Sequence, residues 1–309
     1  MSEVIELTAL DRESNFELGV EARFPLDLTS TKPTMWEAYE ASLVQAWDPE
    51  DESLWSDFDL SQYTSGERVA GALVWSHRAW VEHSAIAESE AVLVRVCLEA
   101  GISADFKYCV SMRAVERARS TDLCHILATR LDKYQSSPQT KELVDLLDDE
   151  LVRRALHARS DIDAYIGAHL VAQSTIDLRI WECARTNSDP GLGRVVDHVI
   201  RDKARMLEVA WLYMEDAVAK RTPEVRSFIS SNVNYVVFEE EGQGRQLPAF
   251  LNSGIDATAL TEANRLAIAG LGGVSDGDQR ETFETAVDEL KTKFSSMGIE
   301  VGNRGDLRH

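Results

Sequence analysis

Apolar residues recur at helical spacing through most of the chain and divide it into long helices separated by clear punctuation. A first helix is expected over Trp36–Trp47, stopped by Asp48-Pro49. The stretch 50–65 is acidic and aromatic, and reads as a loop packed by Trp55, Phe58 and Tyr63. Helical patterning then runs from Glu67 to Ala100, closed by Gly101, and from Ala104 to Tyr134, before Ser136-Ser137-Pro138. A shorter helix is expected over 139–157 and a third long one over Asp161–Arg185. Asn187-Ser188-Asp189-Pro190-Gly191 is a strong turn signal. A fourth long helix spans 192–220, up to Thr222-Pro223. Beyond it, Asn232–Glu239 has strand-like composition, Gly242–Pro248 reads as a loop, and helices are expected over 257–270 and 278–296.

Four long helices in two antiparallel pairs predict an all-α four-helix bundle with extra helices. The organisation expected is an N-terminal arm over 1–33, the bundle over 34–222, and a C-terminal accessory helical segment over 223–309 packed on the bundle.

A length of 309 residues with 44% hydrophobic content suffices for a large core. The formal net charge of -21 disfavours nucleic acid and anionic membranes as partners and suits a basic protein. The sequence has no apolar run of membrane-spanning length, and its first residues lack the basic and apolar regions of a signal peptide. Cys97, Cys109, Cys124 and Cys183 show no CxxC spacing and read as reduced thiols of a cytoplasmic protein.

The chemistry lies in a repeat. Glu116-Arg117-Ala118-Arg119-Ser120 recurs as Asp202-Lys203-Ala204-Arg205-Met206, and the same offset pairs His83 with His169 and Ala87 with Gln173. Ala87 and Arg117 have their midpoint at position 102, beside Gly101, and Gln173 and Lys203 have theirs at 188, inside the Asn187–Gly191 turn. Each pair therefore sits roughly 20 Å up its hairpin, and the two layers coincide. Helical phase adds His83, Glu90, Ser120, Cys124, Asp177 and Met206 to this layer. Two histidines, two acids and several cations thus stand where Leu, Ile and Val are expected.

With these residues in view, the chain resembles the ferritin-like superfamily, in particular diiron oxygenases related to aminobenzoate N-oxygenase and the ribonucleotide reductase small subunit. The carrying features are the Ala-Arg of both repeat motifs behind a leading acid, the thirty-residue spacing within each pair, and the aromatic, acidic segment Trp36–Trp55. The resemblance covers roughly 35–220. It implies a bundle whose six metal-ligand positions fall on Ala87, Arg117, Ser120, Gln173, Lys203 and Met206, none of them a carboxylate or an imidazole. Two cations there oppose metal binding, so no metal and no cofactor is expected. A displaced site drawn from Glu90, Asp122, His125 and Asp177 needs a bundle in another register. Glu90 and Asp177 are phased to pair with Arg117 and Lys203 instead.

Three functions remain open. The preferred one is metal-independent binding or acid–base transformation of a small anionic metabolite in the bundle cavity, in specialised metabolism. Lys203, His83, Glu90, His169 and Asp177 would be its catalytic groups, and Arg117, Gln173, Ser120, Met206 and Cys124 its substrate contacts. The second is a non-catalytic partner subunit of a diiron oxygenase-like complex; in either case a homodimer, or a heterodimer with a related ferritin-like subunit, is expected. The third is a diiron oxidoreductase with displaced ligands.

Overall fold

The computed structural model describes residues 32–99, 101–136, 161–240 and 257–302. The helix expected over 139–157, the loop Gly242–Pro248 and nearly all of the arm 1–33 lie outside these residues. Helix α1 is Pro33–Val44. Two short 3-10 turns, Glu52–Trp55 and Leu60–Gln62, follow it. The bundle helices are α2 (Ser65–Leu98), α3 (Ala104–Leu131), α4 and α5 (Pro190–Ala219). Helix α4 is composite: Ile162–Tyr165, a π-helical Ile166–Gln173, then Ser174–Thr186. Helix α6 (Pro223–Tyr235) passes into a π-helical Val236–Glu240, and α7 (Ala257–Ala267) and α8 (Asp276–Ser296) complete the set.

Local chemistry sets the boundaries. Thr64 and Glu67 form a capping box at the start of α2, as Ser275 and Asp278 do for α8. Asp189 caps α5 ahead of Pro190 at the first helical position. Gly101 turns the α2–α3 hairpin at a φ of +80°, a conformation glycine adopts without strain. Gly191 is required for a different reason: a Cβ there would meet the Asp57 carbonyl oxygen at 2.2 Å, so the loop after α1 is clamped against the start of α5.

The strand-like stretch Asn232–Glu239 is helical, and no strand occurs among the described residues. Its β-branched and aromatic residues are buried instead, since Val233, Val236, Val237 and Phe238 all enter the core. Tertiary burial has overridden intrinsic preference.

Helix α2 lies along α3, α4 along α5, and α3 along α5. Helix α7 packs on α2, α8 on α4, and α1 on α3 and α5. The apolar core comes in two parts. One holds Met35, Val92, Val96, Phe106, Val110, Ile166, Leu207, Met214 and Phe294. The other holds Trp75, Ala79, Leu123, Leu127, Trp181, Leu192, Val195 and Val199. Every bundle helix passes from one part to the other, and at the crossing it carries buried charge: Glu82 and Glu88 on α2, Arg113, Glu116 and Arg117 on α3, Asp177 on α4, Asp202 and Lys203 on α5. A polar layer therefore divides the bundle at mid-height. Among the described residues no helix is long and apolar enough to cross a membrane.

Candidate functional site

Four side chains from four helices meet at the centre of that layer. Lys203 Nζ donates to Glu82 Oε1 at 2.7 Å and to Asp177 Oδ2 at 2.6 Å. Arg117 Nη1 donates to Glu82 Oε2 at 2.8 Å and to Asp177 Oδ2 at 2.7 Å. Each cation thus bridges both acids, and the four formal charges cancel. Trp181 Nε1 adds a bond to Glu82 Oε1 at 3.1 Å, and its ring lies 5.2 Å from the Lys203 ammonium. Glu82 and Asp177 are each 1% exposed, so both would be untenable as charges without these partners. Burial opposes ionisation of Asp177, but Lys203 and Arg117 outweigh it and hold the carboxyl below its usual range. Burial likewise opposes the Arg117 charge, and Glu82 and Asp177 raise its guanidinium above the ordinary value.

Beside the quartet lies a cavity of about 20 Å³, lined chiefly by Arg113, Glu116, Arg117, Ser120, Asp202 and Met206. That is room for about one water. Asp177 Oδ1 and Arg113 Nη1 are buried without a partner among the described residues, one an acceptor and the other a donor, so a water is the natural guest.

A second charge cluster adjoins the first. Arg205 Nη2 donates to Glu116 Oε1 at 2.9 Å and also to Asp202 Oδ1. Asp202 Oδ2 accepts from Trp47 Nε1 at 2.8 Å and lies 3.6 Å from Arg119 Nη1. Burial, reinforced by Asp202, pushes the Glu116 carboxyl up to about 7 against the pull of Arg205. A raised folded-state value means that the folded chain holds the proton more tightly than the unfolded one. This group's contribution therefore becomes destabilising as the pH climbs from about 4.5 to about 7. Glu116→Gln removes the titration, so the stability difference, variant minus parent, should rise across that window. Denaturant titrations at successive pH values check this, and a constant difference would contradict it.

The residues anticipated from sequence separate into groups. Arg117, Asp177 and Lys203 are together, with Ser120 and Met206 on the same cavity. The Ser120 hydroxyl is turned back to the Glu116 carbonyl at 3.1 Å. His169 and Gln173 are buried in the π-helical part of α4, where His169 Nδ1 lies 3.3 Å from Gln173 Oε1 and the His169 ring centre lies 4.3 Å from that of Tyr165. Cys124 is fully buried among apolar groups, and burial, with Glu82 nearby, raises its thiol well above the usual value. Burial, with Asp105, pushes Cys109 up to about 12. Both thiols should resist alkylation in the native protein and react only on unfolding, whereas Cys97 and Cys183, which are half-buried, should be modified first. Mass spectrometry of partly alkylated native protein tests that order.

Two expectations on α2 are overturned. His83 and Glu90 are exposed, as is Ala87, so neither side chain reaches the layer. The residue that does is Glu82, one position earlier, and the counter-charge expected from Glu90 comes from it. The cause is a difference between the hairpins. Arg117 meets a partner 35 residues before it, while Lys203 meets one 26 residues before it, so a common spacing of thirty fits neither. The π-helical segment of α4 also changes the helical phase on that side only. The displaced set fails as well: Glu90, Asp122 and His125 all face outward and do not converge with Asp177. Glu82, Glu116, Asp202, Arg205 and Trp47 were not foreseen as members of the site. The signal for Glu82 was the stripe Trp75, Ala79, Glu82, Ala85, Ser89, Val92, Val96, which follows core spacing. Glu116 and Asp202 lead the two copies of the repeat.

This bundle with its central polar layer has the ferritin-like fold. Among solved structures it is similar to a point mutant of the R2-like ligand-binding oxidase with aerobically reconstituted Mn/Fe cofactor, with a TM-score of 0.59, 13% identity, and coverage of 88% of this chain and 94% of that one. It is equally similar to the R2-like ligand-binding oxidase with aerobically reconstituted metal cofactor after photoconversion, with a TM-score of 0.59, 13% identity, and coverage of 85% and 93%. At that identity the likeness is one of fold. No protein-family model matches the sequence, and no curated protein matches it.

The residues at the bundle centre do not fit a dimetal cofactor of the kind those oxidases carry. Such a centre needs several anionic oxygen donors with imidazole, converging on an open position. Among the described residues no group of three His, Cys, Asp or Glu side chains converges in that way. The two central acids already share an ammonium and a guanidinium within 2.8 Å, and a divalent ion there would face both cations.

Proposed function

We propose that this chain is a metal-independent ferritin-like protein in which a neutral quartet, Glu82–Arg117–Asp177–Lys203, takes over the structural task of a dimetal centre. It would serve as a non-catalytic subunit beside a related ferritin-like chain. The observation that carries this reading is the reciprocal pairing of the quartet. Both cations are engaged by both acids, so Lys203 is not free to act as a base or a Schiff-base nucleophile, and Arg117 is not free to clamp a substrate. A cavity of about 20 Å³ beside them works against the alternative of a metabolite transformed at the bundle centre.

The test is elemental analysis of protein expressed with manganese and iron supplied, combined with thermal unfolding with and without chelator. The expected result is well under one metal per chain and superimposable melting curves. About two equivalents of metal, or a melting temperature lowered by chelator, would overturn the reading. The subunit role is tested by native mass spectrometry of the chain mixed with any ferritin-like protein found encoded beside it, where a stable complex is expected and its absence would count against the role. Turnover by the isolated chain, abolished by Lys203→Ala, would instead support a reaction centre.

A further inference from the structure

A second cavity lies outside the quartet, between α2, α4 and the C-terminal helices. Its volume is about 30 Å³, room for about two waters or a solute of a few heavy atoms, and Arg78, Glu82, Trp181, Asn264 and Gln279 line it. Two of its polar atoms are buried and without a partner among the described residues: Arg78 Nη1, a donor, and Gln279 Oε1, an acceptor.

The remaining atoms of these side chains are held. Arg78 Nη2 donates to the Gly272 carbonyl at 2.7 Å, and the guanidinium lies over the Trp75 ring at 4.4 Å. Gln279 is 1% exposed and its Nε2 donates to the Val274 carbonyl at 2.9 Å, which leaves Oε1 as the free polar atom of a side chain that lines the cavity. Asn264 is spent on Leu260 and Val274. Both orphan atoms are therefore pre-positioned by bonds made elsewhere.

Charge decides what they are positioned for. Glu82 borders the same cavity but is already matched within the quartet, and among the described residues Arg78 forms no ion pair with a carboxylate. A half-buried guanidinium whose Nη1 is shut off from solvent is costly without an anion, and a water answers its hydrogen-bonding need but not its charge. Burial also keeps the adjoining His77 neutral, with a value near 4, so it brings no competing positive charge.

We propose that this cavity binds a small hydroxylated oxyanion of the size and kind of hydrogen carbonate. An anionic oxygen accepts from Arg78 Nη1 while the hydroxyl donates to Gln279 Oε1. The proposal does not depend on how the quartet functions, since it requires only that Glu82 be charge-matched.

The experiment is a titration of the intact protein with sodium hydrogen carbonate at constant ionic strength, with sodium chloride as the replaced salt. Tryptophan fluorescence is the readout, because Trp75 and Trp181 flank the guanidinium, with melting temperature as a second measurement. A saturable fluorescence change and a rise in melting temperature are expected. Formate, which lacks the hydroxyl, should bind about tenfold more weakly. Arg78→Met should abolish saturation, and Arg78→Lys, which keeps the charge, should retain a weakened response. Gln279→Leu should bring hydrogen carbonate down to the affinity of formate. A linear, non-saturating response in the parent protein, or one unchanged in Arg78→Met, would overturn the proposal. Formate binding as tightly as hydrogen carbonate would overturn the assignment of the hydroxyl to Gln279.

Discussion

Lys203→Met is expected to lower folding stability by about 3–5 kcal/mol, the usual cost of leaving a buried charge without its partner. The physical reason is the stoichiometry of the quartet. Removal of one cation leaves Glu82 and Asp177, both enclosed, to share Arg117 alone. Asp177 has its ionised form stabilised by both cations, and a depressed folded-state value contributes stability that is present above the unfolded value of 3.8. That contribution is lost as the pH falls through the folded-state value, so acid should narrow the gap between parent and variant. The complementary variant removes all four charges at once: Glu82→Met, Arg117→Met, Asp177→Leu and Lys203→Met. A buried ion cluster replaced as a whole by apolar groups of similar volume is commonly neutral or stabilising, so most of the loss should be recovered, less the bond forfeited by Trp181 Nε1. Urea denaturation of the parent, the single and the quadruple variants decides the matter. A single variant within about 0.5 kcal/mol of the parent would place Lys203 among ordinary surface pairs and remove the quartet as the organising element of the layer.

The bundle was legible in the sequence because its signals are local and redundant. Gly101, Asp189-Pro190 and Thr222-Pro223 end or begin helices by backbone geometry, whatever packs around them. Arg117 and Lys203 were legible too, since two copies of one pentapeptide on α3 and α5 place them at matching heights. What the sequence did not reveal was the phase of α2. A one-residue slip turns a helix face by about 100°, and that alone exchanges His83 for Glu82. The repeat offset that aligns α3 with α5 was extended to α2 and α4, but the π-helical Ile166–Gln173 breaks that equivalence. Within that segment a Cβ at Gly167 would meet Met214 Cε at 3.1 Å and Ile229 Cγ2 at 3.3 Å, so it is closely packed there, and no short motif announces it. The apolar spacing of α2 carried the correct phase all along. Hydrophobic periodicity was therefore a better guide to facing than the weak internal repeat. The error over Asn232–Glu239 has the same origin, because composition reports burial readily but does not say in which secondary structure the burial occurs.

Arg117→Glu combined with Lys203→Glu should make the protein's stability depend on a divalent metal. In the parent the layer is electrically closed: two acids, two cations, and bonds of 2.6–2.8 Å between them. Exchange of both cations for carboxylates leaves four acidic side chains, one from each of four helices, directed at one small volume. Like charges at such separations repel strongly in a buried setting, so the variant should be severely destabilised when metal is withheld. The same four carboxylates are hard oxygen donors on facing helices, the donor type that binds manganese or iron in bundles. Added Mn²⁺ should therefore raise the melting temperature of the double variant steeply with concentration, while leaving the parent unchanged. The single variants separate the contributions: each leaves three acids and one cation, and should respond to metal weakly. Calorimetric unfolding across a Mn²⁺ series, with chelator as the zero point, provides the measurement. A double variant as stable as the parent in chelator, or one indifferent to metal, would mean that these side chains do not converge. If the metal dependence appears, the two cations of the natural chain are what hold the ferritin-like bundle together without a metal and keep one out.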